Sequence, residues 1–247
     1  MIGNALEWYE FTLYGYFATV IGNLFFPSDD PIASLMAAFA VFAAGFLMRP
    51  LGAIIFGHIG DKYGRKKALV ISIYLMAIPT FFIGIMPTYE QIGWVASLML
   101  MIVRLLQGIS MGGEFTGSMI FIIEHSPQKG RGYAGSFASL SLAIGIILGS
   151  ATATAISYIF TEEQIYAWAW RIPFLLSIIG AIVGGIMRAT LHDPEVFTKQ
   201  KKEKHLPKTP IKELFQKHRK VLFHAVCIEL ILSIGFYIVN IFFIKGS

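Results

Sequence analysis

Long apolar stretches separated by short polar segments dominate this chain. A helix that crosses the hydrocarbon core of a membrane needs about 20 apolar residues, and seven stretches are long enough. They are Ala5–Phe26, Ala33–Phe56, Ala68–Pro87, Gly93–Ile123, Tyr133–Ile159, Ala167–Met187 and Val221–Ile244. Lipid offers the backbone no hydrogen-bond partner, and the strands of a membrane barrel would be short and alternating in polarity. The pattern therefore predicts an all-α membrane protein with seven transmembrane helices.

The composition agrees with this prediction. Of the 247 residues, 55% are hydrophobic and 14% are charged, against about 25% charged residues in an ordinary soluble domain. We expect residues 1–187 to form a six-helix bundle, residues 188–220 a cytoplasmic loop, and residues 221–247 a seventh helix that opens an incomplete second bundle. The sequence has no zinc-protease, nucleophile-elbow or phosphate-loop motif, so we expect no metal site, no cofactor and no enzymatic activity.

Basic residues concentrate in the second, fourth and sixth of the segments that separate the apolar stretches. The segments Gly57–Lys67, Glu124–Gly132 and Arg188–Lys220 together hold 16 of the 20 Lys and Arg residues. Cytoplasmic loops carry such an excess, so we expect the N-terminus and these loops to face the cytoplasm, with a bacterial inner membrane as the location. The excess charge follows membrane sidedness and forms no stripe interleaved with aromatic residues, so it does not favour nucleic-acid binding.

Seven charged residues interrupt the apolar stretches. They are Glu7, Glu10, Arg49, Arg104, Glu114, Arg171 and Glu229. Each costs about 2.5–3.5 kcal/mol at the centre of a membrane helix. Such residues are usually buried in a bundle, paired or in contact with a wet pathway, so we expect the functional site to lie among them.

The first predicted helix places four polar residues on one face. Asn4, Glu7, Glu10 and Tyr14 follow the i, i+3, i+4 spacing of a helix. Two carboxylates one turn apart repel each other, an arrangement that suits a proton carrier. Glu7 and Glu10 are therefore candidate proton-coupling residues. The alternative is that both lie near the cytoplasmic end and are simply solvated.

The fourth predicted helix carries a second polar face. At about 100° per residue, five of its residues fall within a stripe roughly 80° wide. They are Arg104, Gln107, Met111, Glu114 and Ser118. Arg104 either binds a substrate carboxylate, neutralises Glu114, or forms a structural ion pair with a carboxylate on another helix. Glu114 is a further candidate for proton coupling. The candidate substrate-binding residues are Arg104, Gln107, Tyr14 and Asn4.

Three further charged residues carry weaker signals. Arg49 lies deep in the second stretch, where structural pairing and substrate contact are both open, and we include it among the candidate substrate-binding residues. Arg171 is expected to reach the membrane interface, with Trp168 and Trp170 as interfacial aromatic residues. Glu229 is a single residue without a visible partner.

The segment after the second stretch contains the most specific motif. It reads Gly57-His-Ile-Gly-Asp-Lys-Tyr-Gly-Arg-Lys-Lys67. Glycine permits a tight turn and close helix approach, and Asp61 can pair with a basic residue across the segment or accept hydrogen bonds from a helix N-terminus. The spacing G-x-x-x-D-x-x-G-R-[RK]-[RK] resembles the signature loop of the major facilitator superfamily. This resemblance implies a cytoplasmic gating loop that contains Gly57, Asp61, Gly64, Arg65 and Lys66.

Further segments resemble one branch of that superfamily, the metabolite:proton symporters. They are Gly3–Phe11, Arg49–Gly52, Arg104–Gly108 with Gly112–Glu114, Ser126–Pro127 with Arg131–Gly132, and Trp170–Phe174. Within the branch, the chain is most similar to proline/glycine-betaine permeases and next to 2-oxoglutarate permeases. The resemblance implies the N-terminal bundle of a major facilitator fold and proton-coupled uptake of a small metabolite by alternating access. It also matches Glu10 and Glu114 to acidic sites of the family, where aspartate is usual at the position of Glu10.

The predicted helix count departs from the family pattern. The family fold has two six-helix bundles, whereas this sequence predicts one bundle and a seventh helix. We therefore expect a secondary transporter or its N-terminal half. The alternatives are a non-transporting remnant and a half-transporter that needs a partner chain for the C-terminal bundle. A cytoplasmic N-terminus disfavours a seven-helix receptor, and the absence of lysine in Val221–Ile244 disfavours a retinal protein.

Overall fold

The computed structural model describes residues 2–190, 219–228, 230 and 231. Within residues 2–190 the α-helices are α1 (Ile2–Tyr16), α2 (Ala18–Phe25), α3 (Pro31–Leu47), α4 (Arg49–Tyr63), α5 (Arg65–Ile85), α6 (Tyr89–Ile92), α7 (Trp94–Glu124), α8 (Arg131–Ile159), α9 (Glu162–Gln164) and α10 (Arg171–Ala189). A π-helical segment, Ile165–Ala169, links α9 to α10. The described residues contain no β-strand, which confirms the all-α prediction.

Five helical stretches of the described residues are long and apolar enough to cross a membrane. They are Pro31–Tyr63, Arg65–Ile85, Trp94–Glu124, Gln128–Ile159 and Arg171–Arg188. The helices α1 and α2 precede them and are separated by Phe17 alone, where backbone hydrogen bonds continue from Phe17 N to Leu13 O (2.9 Å) and from Ile21 N to Phe17 O (2.8 Å). The first six predicted stretches therefore correspond to α1–α2, α3–α4, α5, α7, α8 and α10.

The chain divides into two units, Met1–His205 and Leu206–Ser247. The first unit contains α1 to α10. In the second unit, residues 219–228 are helical. Most of the predicted seventh stretch, including Glu229, and most of the predicted loop 188–220 lie outside the described residues.

Local sequence sets several helix ends. The side chain of Asp30 accepts a hydrogen bond from the backbone N–H of Ile32 at 2.9 Å, and Pro31 occupies the first turn of α3. Both features are favourable at a helix N-terminus. Pro50 lacks a backbone N–H, and α3 and α4 are separated at Met48, just before it.

The segment Gly57–Lys67 is helical except at Gly64, so the loop prediction is wrong. Gly57 and Asp61 belong to α4, whereas Arg65 and Lys66 begin α5. Gly64 has a φ of +110°, a backbone conformation that favours glycine. The loop was predicted because the apolar residues end there. A helix can continue beyond its apolar residues, and here the helical backbone continues through charged ones.

The helix α7 crosses α3 and α4 with direct backbone contact. A Cβ atom at Gly108 would collide with the carbonyl group of Gly45, and one at Gly112 would collide with the carbonyl oxygen of Arg49. Small residues allow membrane helices to approach this closely. The glycines of the motif segments therefore fix the crossing that brings the polar faces together.

The helix α8 packs against α1 through a GxxxG pair. A Cβ atom at Gly149 would lie 2.8 Å from the Cβ atom of Thr12, and one at Gly145 would lie 2.9 Å from the Cβ atom of Trp8. This spacing is typical of close helix pairs in membranes. The contact holds α1, which carries two glutamates, firmly in the bundle.

The predicted interfacial position of Trp170 is wrong. Trp170 is fully buried in the apolar core, whereas Trp168 is 48% exposed. Arg171 donates hydrogen bonds to the carbonyl oxygens of Gly84 (3.0 Å) and Met86 (2.6 Å). Arg171 thus satisfies backbone acceptors at the end of α5, and Trp170 contributes packing.

Candidate functional site

The polar residues of α1 face the interior of the bundle. Asn4, Glu7, Glu10 and Tyr14 are each at most 2% exposed. This burial confirms the shared face and shows that the alternative of solvated carboxylates is wrong. Asn4 donates hydrogen bonds to Ser141 Oγ (2.7 Å) and to a backbone carbonyl of α8 (2.8 Å), so it joins α1 to α8.

Glu10 lies at the centre of one polar cluster. Its Oε1 atom accepts hydrogen bonds from Arg104 Nη1 at 3.0 Å and from Gln107 Nε2. Gln107 Nε2 also donates to Thr80 Oγ1 at 2.9 Å. The guanidinium carbon of Arg104 lies 3.8 Å from the ring centroid of Tyr14, close enough for a cation–π contact. Helices α1, α5 and α7 therefore meet at a buried ion pair.

The partners of Tyr14 and Arg104 could not be predicted from the spacing of these residues along the sequence. The hydroxyl group of Tyr14 donates to the carbonyl oxygen of Ala38 at 2.8 Å, which joins α1 to α3. Arg104 pairs with Glu10 on another helix rather than with Glu114. Pairing of Arg104 with a carboxylate on another helix is confirmed and neutralisation of Glu114 by Arg104 is wrong, whereas substrate contact at Arg104 stays a prediction.

Glu7 forms a second ion pair. Its Oε1 atom accepts a hydrogen bond from Arg49 Nη2 at 2.8 Å. The guanidinium carbon of Arg49 lies 5.0 Å from the ring centroid of Phe11 and 4.5 Å from that of Phe46. The structural pairing of Arg49 is thus confirmed, and substrate contact at this residue stays a prediction.

Glu114 forms a third ion pair, with Arg188 of α10. Both carboxylate oxygens of Glu114 bond to the guanidinium of Arg188, and Ser72 of α5 donates to Oε2. Arg188 Nη1 also donates to the carbonyl oxygen of Leu69. The whole predicted stripe of α7 is buried, as expected, but its two charged members engage different helices.

Arg188 was not among the predicted site residues, because the end of the apolar stretch at Met187 placed it in a cytoplasmic loop. The helix α10 ends at Ala189, which places Arg188 in its last turn. A signal was present, since the buried residues Phe174, Ser177, Ala181 and Arg188 follow one another at intervals of 3, 4 and 7 and so share one face of α10. The same periodicity that identified the faces of α1 and α7 would have identified this arginine.

Charged residues also connect helix ends near Gly64. Arg65 Nη2 lies 2.8 Å from Asp61 Oδ1, and Arg65 Nε lies 3.8 Å from Glu124 Oε2. The expected pairing of Asp61 with a basic residue is confirmed. Through Arg65 the cluster joins the ends of α4, α5 and α7, and its role as a gate stays a prediction.

Several buried polar atoms make no hydrogen bond in the part of the chain that the structure describes. They are Glu7 Oε2, Glu10 Oε2, Gln107 Oε1, and Nε and Nη2 of Arg104, besides a few atoms elsewhere. Buried polar groups are nearly always paired. These atoms therefore keep hydrogen-bonding capacity that the described residues do not use. No group of three His, Cys, Asp or Glu side chains in residues 2–190, 219–228, 230 and 231 is arranged to hold a metal ion.

The fold and the interior charges define the class of this molecule, a helical membrane protein whose bundle encloses paired carboxylates and arginines. The family described as "Sugar (and other) transporter" matches residues 1–222. The chain therefore belongs to this family of the major facilitator superfamily.

Curated relatives match nearly all of the chain. A proline/betaine transporter of Salmonella typhimurium is 39% identical over 245 residues, covering 96% of this chain and 49% of the relative. The glycine betaine/proline/ectoine/pipecolic acid transporter OusA of Dickeya dadantii is 39% identical, covering 94% of this chain and 48% of the relative. A shikimate transporter of Escherichia coli is 35% identical, covering 99% and 57%. The chain thus spans about half the length of the curated relatives that it matches.

Solved structures confirm the predicted fold. The xylose transporter XylE of Escherichia coli, in a partially occluded inward-open conformation, matches with a TM-score of 0.72 at 17% identity. That match covers 81% of this chain and 48% of XylE. The structure of a D-xylose-proton symporter matches with a TM-score of 0.72 at 18% identity, covering 94% of this chain and 55% of the symporter. At these identities the likeness shows the fold alone.

Proposed function

We propose that this chain serves in proton-coupled uptake of a small metabolite such as proline or glycine betaine, by alternating access across a bacterial inner membrane. The observation that carries the proposal is the buried pair of Glu10 and Arg104, at 3.0 Å, in the interior of a membrane bundle. A relative named as a proline/betaine transporter, 39% identical over 96% of the chain, supports the choice of substrate. The relatives described above do not favour 2-oxoglutarate.

In this mechanism Glu10 works as a charge switch. The ionised carboxylate holds the Arg104 guanidinium and accepts a hydrogen bond from Gln107. Protonation of Glu10 would remove the negative charge and release the guanidinium. Arg104 already has two nitrogen atoms without partners among the described residues, so the released group would be ready to bind a substrate carboxylate. Proton binding and substrate binding would then favour each other, as linkage requires.

The other candidate residues fit this mechanism in supporting roles. Glu7 and Glu114 remain candidates for proton coupling, but Glu114 has both oxygens occupied by Arg188. The Asp61–Arg65 pair lies where the family resemblance implies a cytoplasmic gate. The cytoplasmic orientation of this end stays a prediction. So does the partner chain that would supply a second bundle.

Uptake into proteoliposomes tests the proposal. The sample is the purified chain with any chain that copurifies, and the probes are labelled proline and glycine betaine. An acidic exterior should drive accumulation, and a protonophore should abolish it. Glu10→Gln should abolish gradient-driven accumulation yet retain exchange of labelled for unlabelled substrate, because glutamine keeps a neutral acceptor for Gln107.

The matched control is Glu162→Gln, which removes a carboxylate from the exposed single turn α9. This variant should transport like the unchanged chain. Gradient-driven accumulation that persists in Glu10→Gln would overturn the coupling role. Absence of both accumulation and exchange in the unchanged preparation would overturn the proposed function itself.

A further inference from the structure

Arg49 differs from the other two paired arginines in its exposure. Its side chain is 31% exposed, against 5% for Arg104 and 7% for Arg188. Arg49 also lies near the middle of the helical stretch Pro31–Tyr63. A guanidinium at that depth is costly in lipid, which favours a wet cavity rather than acyl chains on its exposed side.

Aromatic rings form a platform for the positive charge of Arg49. The rings of Phe11 and Phe46 have centroids 5.1 Å apart, and each lies within 5.0 Å of the guanidinium carbon. Trp8 extends the cluster, with a centroid separation of 5.7 Å from Phe11. Ring faces attract cations at such distances. The platform is therefore a place where a positively charged group is stabilised, and Arg49 supplies that group here.

Glu7 adds a negative charge beside this platform. Its Oε1 atom bonds to Arg49 at 2.8 Å. Its Oε2 atom is buried and makes no hydrogen bond to any residue that the structure describes. One ion pair, one spare carboxylate oxygen and two ring faces thus meet at a single half-exposed position.

We propose that Glu7, Arg49, Phe11 and Phe46 form a subsite for a small zwitterion that carries a substituted ammonium group. In this subsite, which the substrate occupies before it reaches Arg104, the substrate carboxylate binds the Arg49 guanidinium. The substrate ammonium group replaces that guanidinium over the two rings, beside Glu7. This inference rests on the proposed function and deepens it, since it names the residues that recognise the substrate class.

Charge balance explains why the ligand is a zwitterion. A zwitterion that enters an ion pair gives each protein charge a new partner. A simple anion would leave Glu7 without its cation, and a simple cation would leave Arg49 without its anion. Only the Glu7 carboxylate of this pair is buried, and leaving a buried charge without its partner is unfavourable, so both other classes should bind much more weakly than a zwitterion. The rings add specificity because the methyl groups of a substituted ammonium share its positive charge and can contact the ring faces directly.

Equilibrium binding to the full chain in lipid nanodiscs, with any copurified chain, tests the subsite. The probes are labelled glycine betaine and 3,3-dimethylbutanoate, which has the same shape with carbon in place of the charged nitrogen. Phe11→Leu and Phe46→Leu should each weaken betaine binding about tenfold, the loss of a desolvated cation–π contact. The carbon analogue is a simple anion and should bind more weakly than betaine to the unchanged chain, and both substitutions should leave that weaker binding unchanged.

Two further variants separate recognition from folding. Phe46→Tyr keeps the ring face and should bind betaine like the unchanged chain. Phe82→Leu is the matched control, because Phe82 lies on α5 with 47% exposure, similar to 40% for Phe46. It should have no effect on either probe.

The outcomes distinguish this inference from the proposed function. Normal betaine binding by both leucine variants would overturn the subsite and leave the proposed function intact. Equal losses in Phe82→Leu, or equal losses for the carbon analogue, would also overturn the subsite. A preparation that binds neither betaine nor proline would overturn both.

Discussion

The two ion pairs on α7 differ in how completely their hydrogen bonds are satisfied. Glu114 uses both carboxylate oxygens, which accept from Arg188 and from Ser72. Glu10 accepts from Arg104 and Gln107 at Oε1, and its Oε2 atom is buried without a partner among the described residues. The two pairs are similarly buried, so burial alone does not distinguish them.

This difference indicates two roles on one helix. A pair with all its acceptors occupied stabilises the packing of α7 against α5 and α10. A pair with spare acceptors and donors can exchange partners at lower cost, because buried groups that lack a partner gain a bond when a ligand arrives. We expect the Glu114 pair to dominate stability and the Glu10 pair to dominate coupling.

The largest effect is expected from Arg188→Ala. It leaves Glu114 buried without its cation, and breaking such a pair costs about 3–5 kcal/mol. The free energy of unfolding, measured by denaturant titration in mixed micelles, should fall accordingly. Arg104→Ala should cost clearly less, because Arg104 donates one hydrogen bond to Glu10, whereas Arg188 donates two to Glu114 and one to the carbonyl oxygen of Leu69. Equal losses of unfolding free energy in the two alanine variants would contradict the proposal that the Glu114 pair contributes more to stability than the Glu10 pair.

A double variant sharpens the same measurement. Replacing both partners, as Glu114→Gln with Arg188→Met, removes the two charges together. Neutral replacement of a buried pair is often tolerated, so most of the stability lost in Arg188→Ala should return. A double variant as unstable as the single one would show that the loss came from packing rather than from an unpaired charge.

A smaller effect is expected from Ser72→Ala. The substitution removes one donor to Glu114, and a hydrogen bond to a charged group is worth about 1.5 kcal/mol or somewhat more. Thr80→Val is the counterpart in the other cluster, where Gln107 keeps Glu10 as an acceptor. The same unfolding titration should show a smaller loss for Thr80→Val. A reversed order would place the structural role at the Glu10 cluster.

The smallest effect is expected from Glu114→Gln on coupling. In proteoliposomes the ratio of gradient-driven accumulation to exchange should stay as in the unchanged chain, even if less folded protein is recovered. The same ratio should collapse in Glu10→Gln. Collapse in both variants would assign proton coupling to Glu114 as well.

Helical periodicity predicted which residues share a buried face. Asn4, Glu7, Glu10 and Tyr14 on α1 lie inside the bundle, as their spacing indicated. The apolar pattern also located six helical elements, five of them long and apolar enough to cross a membrane, with most of their ends correct to within a few residues. Both results follow from local chemistry, since burying a charged or polar face inside the bundle is the less costly arrangement in a membrane.

The pairing of charges was not predictable in the same way. Arg188 looked like a loop residue because it ends an apolar run, and only the packing of α10 against α5 and α7 brings it to Glu114. Which carboxylate Arg104 would meet was likewise open, because spacing along one helix does not specify the helix opposite. Continuation of the helix up to Gly64 was missed for a related reason, since a charged segment can be a loop or a helix.

The glycine crossing between α7 and the α3–α4 pair has a mechanical consequence. Main chain meets main chain at Gly108 and Gly112, with no layer of side chains whose rotamers could absorb a small slide. Close-packed interiors transmit displacement instead of cushioning it. We therefore expect these helices to tilt together as one rigid body, which would keep the backbones of Arg49 and Arg104 at a fixed separation.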